Sequence, residues 1–129
     1  MLYMNMSLWS EAWHFLMCFM TASVLDAVDL LNIKTMTWTT ARLSVARYDL
    51  VTTSINRDVA MFAGGIDNDG RFSAVVDCFW SSDRSWTVAQ LSVARAYFGA
   101  ASIGSFAIFA GGRVPLGVCI WNLLAFLYP

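Results

Sequence analysis

Apolar residues in the middle of this chain fall in runs of about five, broken by short polar stretches. Tyr48–Ile55 is apolar and Thr-rich, and Val59–Ala63 is wholly apolar. Asn56, Arg57 and Asp58 between them have turn chemistry. Ala74–Phe79 and Trp86–Ala89 make a second pair of runs, separated by the polar Ser81–Ser85. The two pairs are divided by Ile66–Arg71, whose Asp, Asn and Gly residues are a strong turn signal. Short strands with turn signals at regular intervals predict an all-β chain.

The pattern recurs. The pentapeptide Leu43–Arg47 (LSVAR) returns as Leu91–Arg95, 48 positions later. The same shift sets Val28-Asp29 on Val76-Asp77, Trp38-Thr39 on Trp86-Thr87, Ala41 on Ala89 and Ser54-Ile55 on Ser102-Ile103. Beyond that point one residue must be dropped. Gly104-Ser105 then replaces Asn56–Asp58, and Phe62–Gly65 falls on Phe109–Gly112. A tight turn absorbs such a slip. Parallel copies should share one fold, so Ala96–Ala110 is expected to form strands like its twin.

A four-stranded unit recurring about every 50 residues is the mark of a propeller blade. The ordered set of apolar run, double glycine (Gly64-Gly65, Gly111-Gly112), Val-Asp (Asp29, Asp77) and Trp (Trp38, Trp86) resembles the kelch repeat. The resemblance covers about Val24 to Gly112. It implies an incomplete kelch-type β-propeller of two blade-equivalents: a half blade over 24–46, a full blade over 47–94 and a half blade over 95–112. It further implies a protein-interaction module that binds through loops on one face, such as Asn56–Asp58, Ile66–Arg71 and Ser81–Ser85. Each signature residue has a physical task. The glycines admit positive φ and close backbone approach. The tryptophans serve as apolar plates between sheets. Asp29 and Asp77 are placed to accept hydrogen bonds at strand ends, with Arg47 and Arg95 as natural partners, one per repeat. Two positions after each Asp the kelch pattern commonly has Tyr. Here Leu31 and Phe79 keep the apolar role and lose the hydroxyl.

A propeller closes with about four to eight blades, so two blade-equivalents leave apolar faces uncovered and strand edges open to pairing. Both flanks, 1–23 and 113–129, stop matching abruptly, which predicts a piece of a longer propeller; self-association through the open edges until a ring closes, and an open β-stack whose flanking segments cover its faces, are the other two outlets. Composition sharpens this picture. The chain is 58% hydrophobic and 13% charged, against about 25% charged in a typical soluble domain. The alternative is a small membrane-associated protein held by its apolar tail. Ala96–Gly112 and Val114–Pro129 carry no charge, with Arg113 between them. Each run is shorter than the roughly 20 residues a helical span needs, and the twin of the first contains Asp49, Arg57 and Asp58. Both points argue against a membrane. Ala12–Ala22 has the apolar character of a signal peptide, but no Lys or Arg precedes it and Glu11 stands where positive charge is expected. No compartment follows.

Chemistry adds little. A net charge of −1, without a basic cluster, argues against nucleic acid. Cys18, Cys78 and Cys119 are odd in number and widely spaced, which favours buried free thiols. His14 is the one histidine and lies outside the repeats, so neither a Ser–His–Asp arrangement nor the copper site of galactose-oxidase-like propellers can be assembled. Asp67-x-Asp69-Gly70 has only part of a calcium loop and lacks its closing Glu. The double glycines lack the residues of a phosphate cradle. The expectation is a chain with no catalytic residue, cofactor or metal. A carbohydrate- or small-ligand-binding propeller is the remaining alternative, with Trp80, read as a turn residue, its one hint.

Overall fold

The computed structural model describes residues 24–115 and 124–126. Among them are nine strands and no helix: β1 (Ala27–Asn32), β2 (Thr37–Arg42), β3 (Val51–Ile55), β4 (Val59–Ala63), β5 (Val75–Trp80), β6 (Trp86–Gln90), β7 (Gly99–Ile103), β8 (Phe106–Ala110) and β9 (Leu124–Phe126). The chain is all-β, and every named pairing is antiparallel. Three sheets form, in the orders β1-β2, β3-β4-β5-β6 and β7-β8-β9. No helix among the described residues is long and apolar enough to cross a membrane.

The elements lie where the apolar runs put them, with instructive shifts. The run from Tyr48 enters the sheet only at Val51. Tyr48 instead makes an isolated bridge to Ile66, and Asp49 turns the backbone left-handed at φ 51°. The copy repeats this, with Ala96 bridged to Arg113 and Tyr97 at φ 56°. A non-glycine residue held at positive φ interrupts an extended strand. This break is the same in both repeats, although one has Asp and the other Tyr. Trp80, expected in a turn, closes β5 instead, and its Nε1 donates to Thr87 Oγ1 across the ladder at 2.9 Å.

The central sheet, β3–β6, is covered on both faces. Successive side chains of a strand point to opposite sides, so β4 divides its residues between two apolar layers. Val59, Met61 and Ala63 join Ile55, Val76, Cys78 and Leu91 against Phe98, Ala107 and Phe109 of the β7–β8 side. Phe62 packs with Val28 and Leu43 of the β1–β2 side, supported by Leu30, Phe79 and Trp86. A strand buried on both faces needs an unbroken apolar run, which explains why Val59–Ala63 does not alternate. Trp86 lies as an aromatic plate in the second layer, its ring centroid 5.8 Å from Phe62 and 5.1 Å from Phe79. Phe62, buried in the same layer, contributes roughly 1.5–3 kcal/mol, and Trp86 is half-buried.

Candidate functional site

The most organised polar cluster centres on Arg47 and Asp77, both almost wholly buried. The Arg47 Nη2 forms an ion pair with Asp77 Oδ2. Its Nη1 donates to the carbonyls of Gly64 at 2.9 Å and Val75 at 2.6 Å, and its Nε to Val45 O at 3.3 Å. The other carboxylate oxygen, Asp77 Oδ1, accepts the Ser44 amide at 3.0 Å. One guanidinium thus ties the linker before β3 to the end of β4, the start of β5 and a carboxylate on β5. Desolvation pushes the Arg47 guanidinium below its ordinary value, while the charge and hydrogen bond of Asp77 push it back up. A charge this deep is tolerated only when paired and hydrogen-bonded.

The other signature residues are not all completed in this way. Arg95 is as buried as Arg47 and also donates to two carbonyls, Val93 O at 3.4 Å and Gly111 O at 3.2 Å. No carboxylate stands before it among the described residues. In the central sheet Asp77 lies opposite Phe62; in the last sheet the residue opposite Phe109, the Phe62 equivalent, is Leu124 of β9. Asp29, the equivalent of Asp77 in the first repeat, is exposed, and its carboxylate makes no hydrogen bond or ion pair among the described residues. Trp38, the Trp86 equivalent, is 61% exposed rather than between sheets.

The double glycines divide similarly. Gly64 has φ +63°, and a Cβ there would stand 2.5 Å from the Arg95 carbonyl. That carbonyl accepts the Gly65 amide at 2.9 Å. Gly65 approaches Tyr48 O, and Gly112 approaches Ala96 O, so both would meet backbone with a Cβ at 2.6 and 2.7 Å. Gly111 has φ +76°, and a Cβ there would meet nothing within 4 Å among the described residues.

The three turns singled out in the sequence sit at opposite ends of the central sheet. Asn56–Asp58 and Ser81–Ser85 meet: the Ser81 amide donates to Asp58 O at 2.8 Å and the Ser81 hydroxyl to Asp58 Oδ1 at 3.2 Å. Ile66–Arg71 joins β4 to β5 at the other end, because successive connections of an antiparallel meander alternate. This alternation could have been read from the strand order in the sequence. At the shared end Arg57 and Arg84 have left-handed backbone. The side-chain hydroxyl and amide of Ser85 hold the Asp83 carboxyl below the usual carboxylate range. In Ile66–Arg71 the Asp67 carboxylate accepts the amides of Asp69 and Arg71, and Arg71 pairs with Asp69, so these acids shape a turn. Among the described residues no three His, Cys, Asp or Glu side chains lie together as metal ligands would. Cys78 is a buried free thiol, its pKa pushed up first by burial. His14, Cys18 and Cys119 lie outside the described residues.

The Ser44 amide and the Gly64 and Val75 carbonyls are the partners sequence reasoning did not find, because backbone groups leave no compositional signal. Compared with known proteins, the chain matches no family model and no curated protein.

Proposed function

We propose that this chain is a kelch-type propeller segment that works as a protein–protein interaction module. The reading is carried by one observation: a four-stranded antiparallel meander is held face to face between sheets grown from the same sequence repeat, with a buried Arg47–Asp77 pair pinning linker to sheet. Such stacking leaves short turns in a row at one end, a rigid scaffold carrying variable polar loops. Asn56–Asp58 and Ser81–Ser85 are the adjoining pair, and Ile33–Met36 and Gly104-Ser105 are their equivalents in the flanking repeats. Arg57, Arg84 and Asp83 there offer charge that folding of the core does not consume.

The test is capture of binding proteins by the full chain, compared with capture by an Arg57→Ser/Arg84→Ser variant that has the same circular dichroism. The reading expects a partner held by the native chain and released by the variant. A partner set unaffected by these changes, or bound only through the Ile66–Arg71 end, overturns it.

A further inference from the structure

Positions that the repeat buries in the middle of the molecule are open at its two ends. Ile55 is 7% exposed and its equivalent Ile103 67%; Val59 is 8% exposed and its equivalent Phe106 38%. Gly64 backs onto the next linker, whereas a Cβ built on Gly111 meets nothing within 4 Å among the described residues. Arg95 is buried with carbonyl partners and, among the described residues, no carboxylate. These needs all arise around β7 and β8. Their complements are at the other end: Asp29 on β1, exposed and unpaired among the described residues, and Trp38 on β2. Within one chain they cannot meet, because the central sheet packs between the two end sheets.

We propose that a second copy of this chain completes the β7–β8 sheet, head to tail, by strand exchange. Its β1–β2 hairpin adds to β8 as β5–β6 adds to β4. The register is given by the internal example: Asp29 of the second copy lies opposite Phe109, as Asp77 lies opposite Phe62, and its carboxylate meets Arg95. In the single chain β9 holds this edge through three register pairs, with Leu124 at the carboxylate's place. The exchange replaces it with a strand as long as β5 that carries the missing charge. Trp38 then gains an apolar neighbour, and Ile103 and Phe106 are covered by the second copy. Because the contact joins unlike surfaces, it repeats until a ring closes. The inference rests on the propeller reading and names the partner that satisfies its open ends.

Sedimentation velocity of the full chain across a concentration series tests it. The native chain is expected to reach a mass of two or more times 14.3 kDa. Asp29→Arg, exposed and therefore harmless to the single chain, should weaken assembly by about 100-fold or more, the cost of leaving a buried charge unpaired. Asp69→Arg, the same charge change on the exposed Ile66–Arg71 turn, should assemble as the native chain does. A native chain that stays monomeric throughout overturns the proposal, as does an Asp29→Arg variant that assembles normally or an Asp69→Arg variant that fails equally. Partner capture by Asp29→Arg is read separately. Loss of assembly by Asp29→Arg with capture retained leaves both readings standing, a native chain that assembles but captures no partner removes the interaction reading alone, and a native chain that captures a partner but stays monomeric removes the assembly proposal alone.

Discussion

Arg47 and Arg95 occupy equivalent positions in identical pentapeptides, yet one faces a carboxylate and the other does not. The contrast isolates what the ion pair does. Arg47→Met leaves Asp77 buried with only an amide partner, and should cost about 3–5 kcal/mol of unfolding free energy. Arg95→Met, measured at low concentration, removes two carbonyl hydrogen bonds and strands no carboxylate of its own chain, and should cost about 1–3 kcal/mol. Urea titration of the two variants gives the order directly; equal losses would mean the carboxylate contributes nothing beyond packing. Cys78 supplies a second residue-scale test. Its folded-state pKa is raised by burial, so the unfolded chain releases this proton first as pH climbs. The associated stability is present below the ordinary thiol value of about 8.5 and is lost as pH rises from there through the folded pKa. Native-state reaction of Cys78 with a thiol reagent should be slow and should follow unfolding.

At the scale of elements, position in the stack decides what a signature residue contributes. Trp86 lies against Phe62 and Phe79 between two sheets, whereas Trp38 stands in solvent. Trp86 is half-buried, and Trp86→Ala should cost about 1.5–3 kcal/mol; Trp38→Ala, measured at low concentration, should change stability by less than about 0.5 kcal/mol. The glycines divide the same way. Gly64→Ala places a methyl 2.5 Å from the Arg95 carbonyl on a left-handed backbone, so both strain and collision oppose it. Gly111→Ala meets no atom within 4 Å among the described residues, and the backbone strain alone amounts to about 1–2 kcal/mol. Thermal melts should place Gly64→Ala well below Gly111→Ala. Comparable melting points would show that the central glycine is valued for its φ alone.

For the molecule as a whole, the open ends predict that melting temperature rises with protein concentration in the native chain and not in Asp29→Arg, since association stabilises the folded state by mass action. Much of the architecture was legible beforehand. Runs of about five apolar residues between turn formers gave the strands, and Val59–Ala63 matches β4 to the residue. Local chemistry settles such elements, because chain reversal and strand length depend on neighbouring residues. The pairing of Arg47 with Asp77 was foreseeable only as complementary charge at one per repeat. That it is realised once, leaving Arg95 without a carboxylate and Asp29 in solvent, follows from the order of the sheets. The sequence by itself determined the strands, their turns and the repeat. Only the tertiary structure decided which copies of each signature residue are buried, paired or exposed, because burial is a property of what packs on a sheet's face, and identical residues at the middle and the ends of a stack have different neighbours.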